Sequence, residues 1–281
     1  MISIKIKGEK PILTFARKEI KYRMTEEQYL RFLETASLLI EPDGAFPHSR
    51  ILNIYYDTTH HDLVNRSMQK PKYKEKLRLR SYGVPTADSQ TFLEIKKKFD
   101  GIVYKRRTTL TYAEATDFLS QAPEKGAGHE IPQSIASTQI GRELTYFRDF
   151  YRPVPAMVLC YDRDSYMGTF DHSFRLTIDR NIRYRTDELD LTLGDHGRLL
   201  DQDSGYLMEL KASGAIPLPI VRLLSAYEIY PTSFSKYGRA YTQSQQITFP
   251  HRRSPICFQP SSIHQTEHYP SAPRRSVSVP R

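Results

Sequence analysis

Several short segments of this chain alternate charged and apolar residues with a period of two. In Lys76-Leu77-Arg78-Leu79-Arg80 the cations sit two residues apart with leucines between them. Phe92-Leu93-Glu94-Ile95-Lys96, Phe174-Arg175-Leu176-Thr177-Ile178-Asp179 and Leu207-Met208-Glu209-Leu210-Lys211 repeat the pattern. Successive strand side chains point to opposite faces, so each segment reads as a strand with one charged and one apolar face. One such strand describes any half-exposed sheet. Several, carrying Arg, Lys and Glu at matching spacing, point to a closed sheet with a charged interior. Such an interior is costly unless it holds a counter-charged ligand. The surplus is cationic, so the expected ligand is anionic.

The remaining pattern is that of an α+β domain. Phe15 to Arg23 alternates, with Arg17, Glu19, Lys21 and Arg23 on one face. Thr25-Glu26-Glu27-Gln28 is a capping-box pattern, and Tyr29, Phe32, Leu33 and Ala36 follow at helical spacing. Strands are predicted over 49–57, 74–82, 91–98 and 102–112, with Asp100-Gly101 as the hairpin turn between the last two. His61 to Met68 reads as a short helix or loop. Helices are predicted over 113–119 and 134–150, with a polar loop over 121–129 between them. Strands over 156–165, 174–184 and 206–212 follow, with a further short strand over 187–194. A helix over 220–227 and a last turn or short helix over 235–241 complete a domain expected to span 1–249. From 250 to 281, six prolines stand among serines and arginines without apolar period, which reads as a disordered tail.

The chain of 281 residues has 41 Lys+Arg against 32 Asp+Glu, a formal charge of +9. The tail holds five arginines and one glutamate, so +4 belongs to it and +5 to the body. A nucleic-acid binder, a phosphate-handling enzyme and a membrane-surface protein share such a balance. No RNA-binding aromatic motif accompanies the basic run Lys96-Lys97-Lys98, so no specific nucleic acid is expected. Two cysteines, Cys160 and Cys257, form no disulfide framework and make a reducing cytoplasm the simpler setting. Met1 to Lys5 lacks the apolar stretch of a signal peptide, and no run approaches the ~20 apolar residues of a membrane span.

By alternation the inward positions are Glu19, Lys21, Arg78, Arg80, Glu94, Lys96, Lys105, Arg107, Arg163, Arg175, Asp179, Glu209 and Lys211, nine cationic and four acidic. Guanidinium forks suit phosphate oxygens, lysines act as movable point charges, and carboxylates suit a hard cation such as Mg²⁺ or Mn²⁺.

In chain order stand Arg17-Lys18-Glu19-Ile20-Lys21-Tyr22, Tyr55-Tyr56-Asp57, Arg78-Leu79-Arg80, Glu94-Ile95-Lys96, Tyr161-Asp162-Arg163, the run 175–179, Glu209-Leu210-Lys211 and Phe234-Ser235-Lys236-Tyr237. From about Phe15 to Tyr241 this succession resembles the polyphosphate polymerase domain of the vacuolar transporter chaperone family. That family belongs to the triphosphate tunnel metalloenzymes, with adenylate cyclase-like and thiamine triphosphatase-like members. The resemblance implies an antiparallel β-barrel tunnel with a charged interior and helices packed outside. It implies a catalytic set of Lys21, Arg78, Arg80, Lys96, Arg163, Arg175 and Lys211, and substrate contacts from Lys105, Arg107 and Lys236. Glu209, Glu94 and Glu19 would hold Mn²⁺ or Mg²⁺. Ser233 stands where the polymerase members carry a second basic residue. The activity expected is transfer of the γ-phosphoryl of ATP to a growing polyphosphate chain, so ATP and polyphosphate are the expected partners. The alternatives are an inorganic or nucleoside triphosphatase using the same tunnel, and a non-catalytic polyphosphate- or nucleotide-binding module.

Overall fold

The structure is a computed structural model that describes residues 18–44, 46–100, 102–120, 132–201 and 205–248. The expectations for the lead-in through Arg17, the 121–129 loop and the 250–281 tail lie outside the described residues. The first half of the chain runs β1 (Lys18–Met24), α1 (Glu26–Ala36), β2 (Ile40–Pro42), β3 (His48–Asp57), α2 (Asp62–Met68), β4 (Tyr73–Tyr82), β5 (Gln90–Phe99) and β6 (Ile102–Thr111). The second half runs α3 (Tyr112–Ser120), α4 (Gln133–Ala136), α5 (Gln139–Tyr151), β7 (Val154–Gly168), β8 (Arg175–Arg185), β9 (Arg198–Leu199), β10 (Tyr206–Ala212), α6 (Leu218–Ala226) and α7 (Lys236–Thr248).

The strands form one antiparallel 10-stranded sheet in the order β1-β10-β8-β7-β3-β4-β5-β6, with β2 on β7 and β9 on β8. Among the described residues no pairing joins β1 to β6. The sheet therefore curls into an open trough, where the sequence pattern predicted a closed barrel. One free edge of β1 is covered instead by the segment before α7, through a Tyr22–Pro231 bridge and the Thr232 N–H on the Lys21 carbonyl.

Alternation decides what each face buries. Outside, Leu77, Leu79, Leu93 and Ile95 of β4 and β5 pack with Phe118 of α3 and Leu144 and Phe147 of α5. A second outer core joins Leu176, Ile178, Met208 and Leu210 to Phe32 of α1 and Ile220 and Leu224 of α6. Each such side chain contributes about 1.5–3 kcal/mol relative to exposure. The concave face is only partly charged. Ile51, Tyr55, Met157, Leu159, Tyr161 and Leu207 lie against Phe234, Tyr237 and Ala240, so α7 fills part of the trough.

Three local departures stand out, and the first two have identifiable causes. The helix predicted over 134–150 is divided, because Thr138 caps α5 by accepting the Gly141 N–H at 3.0 Å. A Cβ at position 141 would lie 2.0 Å from the Ile135 carbonyl oxygen, so only glycine lets α4 and α5 meet this closely. The strand predicted over 187–194 is a 3-10 turn at Leu191–Leu193, held by the Asp190 carboxylate on the Thr192 N–H. Local side-chain bonding of this kind competes with strand formation. Arg185 adds to the effect by donating to the carbonyls of Glu188, Asp190, Gly194 and His196. Finally, α7 runs to Thr248, beyond the short element expected over 235–241. The capping box at Thr25 forms as predicted.

Asp57 ties the trough together. Its buried carboxylate accepts the N–H groups of Thr58, Leu63 and Val64 and the Tyr237 hydroxyl at 2.8–3.0 Å. It thus caps α2 and anchors α7. Asp57→Ala leaves buried donors without an acceptor and is expected to lower stability by about 3 kcal/mol in urea unfolding. A loss below about 0.5 kcal/mol would show that α7 docks without it.

Candidate functional site

The β4–β5–β6 wall presents two charged rungs. One aligns Arg78, Glu94 and Arg107, and the next aligns Lys76, Lys96 and Lys105. Glu94 is the anionic centre of this wall and is 1% exposed. One of its oxygens accepts from Arg78 Nε at 2.6 Å. The other meets Arg107 Nε at 2.6 Å and Lys105 Nζ at 2.9 Å, while Arg80 Nε lies 4.0 Å from the oxygen that Arg78 holds. Burial works to raise the Glu94 carboxyl, but Arg78, Arg80 and Lys105 more than offset it and hold it well below the usual range. Neutral side chains orient the guanidiniums further. Arg78 donates to the Tyr55 hydroxyl at 3.2 Å, and Arg80 donates to Asn53 Oδ1 at 3.0 Å and the Tyr161 hydroxyl at 3.3 Å.

The other wall comes from β1, β10, β8 and β7. Register places Lys21 opposite Glu209, Glu19 opposite Lys211, and Lys211 opposite Arg175. Lys21 Nζ lies 3.3 Å from Glu209 and 3.8 Å from Glu19, and Lys211 Nζ lies 3.3 Å from Glu209. Arg163 grips the fully buried Asp179 with Nε at 2.5 Å and Nη2 at 2.8 Å. Lys236 reaches in from the start of α7, 2.5 Å from Asp179 and 3.7 Å from Glu209. Burial opposes ionisation of Asp179, yet Arg163 and Lys236 keep it below its ordinary range. Glu209 is likewise held down against burial by Lys236, Lys21 and Lys211.

The walls meet across the trough although they are remote in strand order. Burial lowers the Lys96 ammonium, while Glu19 and Glu209 from the facing wall oppose that and Lys21 and Arg78 reinforce it. Lys76 donates to Ser235 Oγ at 3.0 Å, and Lys21 to the Phe234 carbonyl at 3.2 Å, so the segment before α7 is tied to both walls. Burial pushes the Lys76 ammonium down to about 8, and that of Lys105 to about 8 despite Glu94. The face is short of negative charge.

The inward set predicted by alternation does share this face. Arg175 lies at its margin and is paired with Asp43 at 2.6 Å, apart from the Glu94 and Asp179 clusters. Lys76 belongs to the site and was outside the predicted set, although the same alternation with Arg78 and Arg80 places it there. Asn53, Tyr55 and Tyr161 were also missed, because neutral polar residues carry no charge pattern. Glu94 stands apart from the other two carboxylates expected to hold a metal: both its oxygens make short contacts to cations, the arrangement of an internal counter-ion. Glu19 and Glu209 make only longer lysine contacts. On the Glu209 rung, Thr177 Oγ1 is buried without a hydrogen-bond partner. These oxygens fit a cation such as Mg²⁺, which takes one or two carboxylates and completes its shell with phosphate and water. No group of three His, Cys, Asp or Glu side chains placed to hold a metal occurs among the described residues. A cavity of about 450 Å³ lies elsewhere, lined by Arg142, Thr145, Tyr146, Asp149 and Phe150 on α5.

The structure thus presents a curled antiparallel sheet, clad in helices, with an arginine- and lysine-rich concave face. The family model of the VTC domain matches residues 16–245, and the chain belongs to that family. No curated protein matches it. Among solved structures it is similar to a candidate adenylate cyclase of Vibrio parahaemolyticus at 11% identity, covering 80% of this chain and 97% of that one, with a TM-score of 0.42. A candidate adenylate cyclase of Bacillus halodurans shares 15% identity over 78% of this chain and 95% of its own, with a TM-score of 0.45. A candidate adenylyl cyclase of Hippeastrum, described as having a dominant triphosphatase activity, shares 14% over 81% and 95%, with a TM-score of 0.38. All three scores fall below 0.5, and family membership rests on the domain match. No helix among the described residues is long and apolar enough to cross a membrane.

The lowered lysines set a pH dependence. A bound polyanion favours protonated Lys76 and raises its pKa, so affinity is retained below about pH 8 and lost as pH rises through it. Triphosphate affinity, measured without metal, is expected to fall roughly tenfold between pH 7.5 and 9.5. Lys76→Arg should flatten that profile. An unchanged affinity across the range would show that Lys76 does not face the ligand.

Proposed function

We propose that the concave face binds the triphosphate of ATP and that the protein is a metal-dependent polyphosphate polymerase. The observation supporting this most strongly is the charge imbalance of the face. The nine cations expected from alternation, with Lys236 and with Lys76, make eleven against Glu19, Asp43, Glu94, Asp179 and Glu209. A triphosphate and an attached phosphate chain supply the missing negative charge. Membership of the VTC domain family supports the same ligand class.

Arg78 and Arg80 are oriented by Glu94, Tyr55, Asn53 and Tyr161, and are suited to non-bridging phosphate oxygens as preset forks. Lys21, Lys96, Lys105 and Lys211 neutralise the chain. Glu209 and Glu19 would hold Mg²⁺ or Mn²⁺, which neutralises and orients phosphate oxygens when bound. Transfer to a terminal phosphate then needs in-line positioning and stabilisation of charge on the moving phosphoryl group. A phosphate acceptor is already anionic, so no dedicated general base is required.

The test is incubation of the purified protein with ATP and Mn²⁺ or Mg²⁺. Long phosphate polymer is the expected product, and Glu209→Gln should remove it while preserving the fold. Free phosphate without polymer would replace the polymerase with a triphosphatase on the same face. Tight ATP binding with neither product would reduce the protein to a binding module.

A further inference from the structure

The cationic surface does not stop at the rungs described above. One rung further along the β4–β5 hairpin, Lys74 stands opposite Lys98, on the face shared by Lys76 and Lys96. Lys70 follows in the turn between α2 and β4. Lys74 is half-buried and donates to the Ser67 carbonyl at 3.3 Å, which fixes its position, while Lys70 and Lys98 are exposed. Burial lowers the Lys74 ammonium first, and the nearby charges of Lys98, Lys70 and Lys96 lower it further.

This grouping differs from the other basic clusters of the surface. Lys97 and Arg106 share Glu143, and Arg50 and Arg183 share Asp162 and Asp195. Among the described residues none of Lys70, Lys74 and Lys98 makes an ion pair. The adjacent carboxylate Glu75 points to the other face and accepts from the Tyr151 hydroxyl at 2.5 Å. Three like charges are therefore assembled next to the candidate site without a counter-charge of their own. Repulsion of that kind persists at low cost only in water or beside an anion.

We propose that Lys74, Lys98 and Lys70 form an outer subsite for an anionic phosphate chain longer than a triphosphate, continuing the row of Lys76 and Lys96. The proposal rests on the reading of the concave face as a triphosphate site. Same-face rungs lie roughly 7 Å apart along a strand. A triphosphate seated at Lys76 and Lys96 leaves the outer rung unused, whereas a longer chain leaving the trough on this side passes over it. The subsite selects by length and not by chemical identity.

The experiment compares wild type with Lys74→Gln/Lys98→Gln, using inorganic triphosphate and long-chain polyphosphate as separate probes at two salt concentrations without metal. Arg31→Gln/Arg142→Gln removes the same charge from outward helices and is the control. The expected result is a roughly tenfold loss of long-chain affinity in the lysine variant, with triphosphate affinity unchanged within twofold. The salt dependence of long-chain binding should also become shallower. Equal losses for both probes, equal losses in the control, or no loss would each overturn the outer subsite. Wild-type protein that binds neither probe would overturn the triphosphate reading itself, a result distinguishable from the others before any variant is made.

Discussion

The concave face holds more positive charge than its own carboxylates neutralise, and much of the architecture follows from managing that excess. Glu94 and Asp179 are placed by strand register directly opposite arginines, and each is fully enclosed. Removing either would leave buried guanidiniums uncompensated, at a cost of about 3–5 kcal/mol. These two acids therefore let arginines remain ionised and fixed inside a folded sheet. They also leave the lysines incompletely compensated, so the site is ordered before a ligand arrives yet still attracts one.

A second layer of polar contacts couples this face to the fold. Asp57 holds the Tyr237 hydroxyl, the Tyr237 ring stacks on Tyr55 with centroids 4.5 Å apart, and the Tyr55 hydroxyl receives Arg78. Lys236 precedes Tyr237 in the chain and lies over the Tyr161 ring at 4.7 Å. Docking of α7 thus fills the apolar part of the trough and delivers a cation to Asp179 in the same event. Folding and assembly of the site are linked through one short segment.

Much of this was readable from alternation, because a residue's face in a strand follows from parity alone. The inward positions named on β1, β4, β5, β6 and β10 fall on one side as their spacing requires, and Glu75, Lys97 and Arg106, of opposite parity, fall on the other. Closure did not follow from parity. Whether β1 pairs with β6 depends on curvature and on the segment 231–232 that covers β1. The short cation contacts of Glu94 were also hidden, since from spacing alone a glutamate among arginines reads equally as a metal ligand or a counter-ion. The division between α4 and α5 turns on one glycine contact at Ile135, and the lost strand near 190 turns on an Asp190 side chain and Arg185. Such single-residue effects leave no periodic trace.

The central claim is that a phosphate chain takes up the charge left uncompensated between the two walls. A crystal structure of the protein with inorganic triphosphate and Mn²⁺ tests it most directly. The account predicts phosphate density on the concave face, in contact with Arg78, Arg80 and Lys96, with manganese anomalous signal beside Glu209. Triphosphate bound on an outer surface, with no phosphate contact to Arg78, Arg80 or Lys96, would contradict the account.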